Sequence, residues 1–151
     1  MAGSGPGDIA SREDCERLVR AFYARALVDP LIGWLFTDVA QLDLEAHVPV
    51  LTSFWETVLL GARSYGGGAF RPHAALHARV GLQGGHFDRW LVLWDGTVDE
   101  LFRGERAEEA KAHAHRVADA FERRLGVHPS PERPPRADGS LPLTLHGPAP
   151  R

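Results

Sequence analysis

The sequence has almost none of several residues from which familiar sites are built. One of its 151 residues is cysteine, Cys15. A single thiol makes no internal disulfide and no thiolate zinc site, and it agrees with a reducing, cytoplasmic setting. Lysine is nearly missing too: Lys111 is the only one, and the other basic side chains are Arg. The formal net charge of −3 leaves no basic surplus for nucleic acid. No stretch approaches the roughly 18 consecutive apolar residues of a transmembrane helix, so no membrane insertion is expected. The opening MAGSGPGDIAS has neither the basic start nor the apolar centre of a secretory leader. Alternation of period two, the mark of a half-buried strand, is not sustained anywhere.

What is present suits one compact helical domain. Hydrophobic residues make up 44% and charged residues 25%, an ordinary globular balance. Seven of the eleven prolines follow Val127; such a segment lacks backbone donors and apolar periodicity. The expected organisation is a loose N-terminus over 1–11, a folded domain over 12–126 and a Pro-rich disordered tail over 127–151. Within the domain the apolar period is helical. Ser11 begins a helix whose face carries Cys15, Leu18, Val19, Phe22, Tyr23, Ala26 and Leu27, and Asp29-Pro30 stops it. Cys15 is expected as a buried structural thiol. After a short piece, LIGWLF, Asp43 can cap a helix presenting Leu44, His47, Val48, Leu51, Phe54, Trp55, Val58 and Leu59. Pro49 disturbs that helix: either it begins near residue 46 or its first turn is bent. Glycines at 61 and 66–68 end it, a short helix spans about 70–78, and two further helices carry Phe87 to Phe102 and Ala107 to Leu125. The fold class is all-α.

Eight histidines raise the question of a metal. His73 and His77 are spaced to share one face of a helix, but no carboxylate follows His73 as in the zinc-protease motif. His113 and His115 point to different faces. A second possibility needs only one imidazole: haem takes a single strong axial nitrogen and a wide apolar slot, with few polar groups near the open position. His73 follows a flexible glycine run, and a face of Leu51, Phe54 and Val58 is preceded by His47. Tyr23 and Trp90 lie on two other helices. Singly, each reads as ordinary packing or a rim residue. A third reading is a helical domain without a cofactor that binds a partner through its apolar faces.

The order of these residues carries more information than any one of them. "FY" at 22–23, "LF" at 35–36, "AHVPVLTSFWETVLLG" at 46–61, "YGG" at 65–67, "H" at 73 and "FDRWLVLW" at 87–94 together resemble the truncated haemoglobins, most closely their group III branch. The resemblance covers about residues 14–125. It implies an abbreviated globin fold, a two-over-two helical sandwich of antiparallel pairs around haem b. It makes His73 the proximal iron ligand, Tyr23 the principal distal donor, Trp90 the distal indole and His47 a gate or weak donor. Phe36 would stack at the haem edge, Phe22 would sit beside the distal tyrosine, and Leu51, Phe54 and Val58 would wall the pocket. Arg71 and Arg79 are candidates to pair with a propionate, and His77 becomes a rim residue. A proline frequent in the family after Tyr-x-Gly is replaced here by Gly68-Ala69, and the segment after His73 is rich in Ala and Gly, which predicts a more mobile proximal helix.

The function implied is binding of O2, or another diatomic such as NO or CO, at haem iron. Tyr and Trp donors in a charge-assisted bond contribute roughly 1.5–3 kcal/mol, which predicts slow release and argues against bulk transport. The alternative is a haem enzyme of peroxidase or NO-dioxygenase type using the same site. The partners expected are the gas and an unidentified reductase, with the protein a monomer or weak dimer.

Overall fold

The structure, a computed structural model, describes residues 5–129. Five helices are formed: α1 (Arg12–Ala26), α2 (Leu44–Leu60), α3 (Phe70–Val80), α4 (Gly84–Leu101) and α5 (Glu105–Leu125). A π-helical turn, Leu35–Val39, lies between α1 and α2. There is no strand among the described residues, as the helical period required. None of the helices described is long and apolar enough to cross a membrane.

The capping signals act where they were read. The Ser11 hydroxyl accepts from the Asp14 amide at 3.1 Å, and Glu13 and Asp14 place negative charge at the positive end of α1. Asp43 accepts from the Ala46 amide. Gly61 closes α2 in the left-handed conformation, at φ 76°, which costs a residue with a Cβ about 1 kcal/mol or more. The start near residue 46 offered as one resolution of Pro49 is not what the structure shows. The helix begins at Leu44 and runs through the proline, whose ring lies on the exposed side.

α1 is the central element. It packs on α2 and on α4, and α4 packs on α5, so two helix pairs meet across α1. Its predicted face is buried from Cys15 to Ala26. Burial, with Glu56 and Asp14 nearby, pushes the Cys15 thiol up to about 11, so it is protonated and inert at neutral pH.

Asp29 does more than stop α1. Its buried carboxylate accepts from the Leu31 and Ile32 amides through one oxygen, and from Arg89 Nε and an Nη through the other, at 2.9 and 2.7 Å. The loop is thereby fastened to α4. Gly33 follows at a point where a Cβ would lie 2.7 Å from the Leu27 carbonyl oxygen. The LIGWLF piece then widens into the π-turn, closed by Ala40 N–H to the Leu35 carbonyl.

The start of the chain corrects one expectation. Residues 7–9 are not loose. Ile9 is fully buried, and the Asp8 carboxylate accepts from the Arg106 and Ala107 amides at the first turn of α5. The Arg103 amide donates to the Gly7 carbonyl. Of the segment read as a Pro-rich tail, residues 130–151 lie outside those described.

α3 differs from the other helices in burying no residue at all. It packs against α5 and not along α2 or α4. Gly67 and Gly68, both at positive φ, lead into it.

Candidate functional site

The side chains singled out in the sequence are carried by α1, α2, α3 and α4, with Phe36 in the π-turn. On α2, His47, Leu51, Phe54 and Val58 are spaced by four, three and four residues, which sets them on one stripe of the helix. All four are half-buried, so this apolar stripe is covered only in part by the chain itself.

His73 is on α3. Its Nδ1 lies 2.8 Å from the Ala69 carbonyl one turn earlier. Since a carbonyl only accepts, Nδ1 carries the hydrogen and Nε2 keeps a free lone pair. His73 is exposed to water. Burial pulls its pKa below 6.5 against the opposing pull of the Ala69 bond, so the imidazole is neutral at pH 7. The Phe121 ring of α5 lies 4.8 Å away, centroid to centroid.

On α2, His47 Nε2 is 3.0 Å from the Tyr23 hydroxyl oxygen of α1. Tyr23 is buried, and burial pushes its phenol well above the ordinary range, so it keeps its proton. His47 is lowered by burial and, secondarily, by the nearby His73 ring. That second influence means that the two imidazoles lie near one another. Two arrangements of the Tyr23–His47 bond exist. The phenol donates to a bare Nε2, or Nε2–H donates to the phenol oxygen and leaves the phenolic hydrogen free for a ligand.

Aromatic rings close the end of the site. Phe36, half-buried, meets Tyr23 edge-on at 5.6 Å. Phe22 is buried and touches Tyr23, Trp90 and Trp94 at 5.1, 5.8 and 5.4 Å. Trp90 is half-buried. Phe54 also meets Tyr65 and His113, at 5.1 and 5.7 Å, so it bridges the stripe to α5.

Some of the sequence assignments shift. Arg79 donates to the Val39 carbonyl at 2.7 Å; it fastens α3 to the π-turn, and its proposed propionate role gives way to that bond. His77 is half-buried, with Nδ1 enclosed and without a protein partner. Among the described residues no three His, Cys, Asp or Glu side chains converge as a metal cage, so His73 and His77 are not parts of one. Phe121 and His113 were not singled out as site residues. Helical spacing marked Phe121 only as part of a core face, and its contact with His73 spans 48 positions of sequence.

The donor set fits a flat apolar group carrying one metal. It offers one neutral imidazole with a fixed tautomer and a free nitrogen, a partly uncovered apolar stripe on α2, and the hydrogen-bonded pair of Tyr23 and His47. The structure is similar to the crystal structure of the group III truncated hemoglobin from Campylobacter jejuni, with a TM-score of 0.69 and 22% sequence identity over 80% of this chain and 94% of that one. No family model and no curated protein matches the sequence. The chain has the abbreviated globin fold.

Proposed function

We propose that this protein is a haem-binding globin that takes O2, or another diatomic such as NO or CO, between α2 and α3. The observations that carry the proposal are the free Nε2 of His73, its ring near that of His47, the bond between His47 and Tyr23, and the partly uncovered apolar stripe of Leu51, Phe54 and Val58. Haem b, when bound, supplies an iron with one coordination position for the protein and one for the gas.

The chain's own residues do the rest. The Ala69 carbonyl holds the His73 ring in one tautomer and orientation, as outer-shell partners of metal-bound imidazoles do. Leu51, Phe54 and Val58 exclude water and give the porphyrin an apolar bed. Tyr23 O–H and Trp90 Nε1–H are the donors available to a polar ligand, and the indole never competes as an acceptor. His47, bonded to Tyr23, decides whether the phenolic hydrogen is free.

His73→Ala tests the reading. The wild-type protein, purified with haem, is expected to show a Soret band, and the variant is expected to lose most of its haem. A variant that retains normally ligated haem overturns the assignment, and a colourless wild type that takes up no added haemin overturns the function.

A second reading, in which the same haem turns over a peroxide or converts NO with O2 to nitrate, is favoured by the Tyr23–His47 pair. Two groups hydrogen-bonded at 3.0 Å suit proton delivery to an O–O bond. Sustained turnover with a reductant supports it; stoichiometric consumption followed by a stall refutes it.

A further inference from the structure

Three of the four tryptophans of the chain are stacked in the core. Trp94 has two near-parallel neighbours: Trp55 at 4.7 Å and 21°, and Trp90 at 6.0 Å and 5°. Packing alone does not call for this. Aromatic rings fill cores equally well edge to face, and the other aromatic contacts around the site are edge-on or tilted. Near-parallel indoles overlap their π-systems, the arrangement through which an electron vacancy moves readily from ring to ring.

The stack has a direction. Its outer member, Trp90, is half-buried and touches Phe22, which stands edge-on to the distal Tyr23. Its inner members, Trp94 and Trp55, are 1% and 2% exposed, out of reach of water that would hydroxylate an oxidised indole. Trp94 Nε1–H donates to the Ala110 carbonyl at 3.2 Å, and a carbonyl does not take the proton away. A hole arriving there stays a reversible radical cation and does not become a neutral radical.

We infer that Trp90, Trp94 and Trp55 form a hole relay, which yields one electron to an oxidant formed in the ligand pocket and stores the vacancy inside the protein. The inference rests on the peroxide-reducing reading of the site. Hydrogen peroxide becoming two waters takes two electrons and two protons. One electron comes from the bound iron and the other from the stack, where an indole is oxidised to its radical cation. Two molecules of a one-electron phenolic reductant refill both positions, and each loses one proton. The balance is one peroxide and two phenols to two waters and two phenoxyl radicals.

The test uses the haem-loaded full chain, mixed with one equivalent of hydrogen peroxide and frozen for electron paramagnetic resonance. With ring-deuterated tryptophan the protein radical signal is expected to narrow, and with ring-deuterated tyrosine to stay unchanged. Trp94→Phe and Trp90→Phe, each checked for an unaltered Soret band and helical circular dichroism, are expected to lose the tryptophan signal. Trp90→Phe decides if the buried Trp94 variant fails to fold. A signal that responds only to deuterated tyrosine, or that survives both substitutions unchanged, overturns the relay. Failure of the haem reading looks different, as a wild type without a Soret band. The relay is then read in the haem-free chain by pulse radiolysis with azide radical. A wild-type indole radical spectrum altered by coupling, and restored to that of isolated tryptophan in Trp94→Phe, supports it; identical spectra refute it.

Discussion

Replacing Tyr23 by Phe removes one oxygen atom and separates two contributions of that hydroxyl. In the protein without ligand, the lost group is a single bond to His47, 3.0 Å long, at a position 4% exposed. A neutral hydrogen bond contributes about 1 kcal/mol net, and His47 is only half-buried, so its nitrogen regains a water. Stability should therefore fall by about 1 kcal/mol or less. On the proposed reading, the phenol of the oxygenated protein would donate to a ligand that carries partial negative charge, and such a bond contributes about 1.5–3 kcal/mol. At 1.4 kcal/mol per factor of ten, oxygen dissociation should speed up about 10- to 100-fold. His47→Ala should give a smaller increase, because the phenolic hydrogen remains and only its orientation is lost. The two changes should not add, since one acts through the other. Stopped-flow displacement of oxygen by carbon monoxide on the two single variants and the double variant measures all three. An unchanged or slower rate in Tyr23→Phe refutes the role given to Tyr23, and strict additivity refutes the coupling to His47.

Other perturbations have equally definite outcomes. Asp29→Ala leaves the Leu31 and Ile32 amides and the Arg89 guanidinium without their buried acceptor. Arg89 can still reach water, so a loss of about 2–4 kcal/mol is expected by urea denaturation; a change below about 0.5 kcal/mol refutes the fastening role. Gly33→Ala forces a methyl to 2.7 Å from the Leu27 oxygen, and should cost about 1–3 kcal/mol in the same assay, with no loss ruling out the close approach. Burial holds His47, His86 and His113 below 6.5, so the unfolded chain takes protons there that the folded chain refuses. Stability is then full above pH 6.5 and declines as pH falls below it. The Asp29 carboxyl, lowered chiefly by Arg89, adds a further loss once pH drops below 3.8. Urea midpoints of the haem-free protein should follow this course, and midpoints that rise on acidification contradict it.

The local parts of this fold were legible, and the distant ones were not. Ser11, Asp43 and Gly61 act within one turn of themselves, so the residue types alone marked the helix ends. The stripe from His47 to Val58 followed from helical spacing in the same way. Asp29 was readable as a stop before Pro30, but its partner Arg89 is 60 positions away, and nothing local announced the pairing. Asp8 belongs to a start that looked featureless because what it caps begins 98 residues later. The π-turn escaped because one extra residue per turn leaves no periodic trace in so short a piece. Pro49 pulled the other way: its local cost is real, yet the packing of Val48, Thr52 and Trp55 on the core keeps the helix continuous through it. In the site, order along the chain singled out Tyr23, His47, His73 and Trp90, whereas the contact of Phe121 with His73 exists only once α3 and α5 have met.

The isolation of α3 bears on how the cofactor arrives and leaves. α3 buries no residue fully and packs only Leu76 and Val80 in part against the core; two glycines at positive φ lead into it, and one arginine ties it to the π-turn. On the proposed reading, a large planar guest should enter the folded chain by displacement of this one helix, without global unfolding. Its residence should then depend on the His73 bond and the apolar bed on α2 more than on closure by α3.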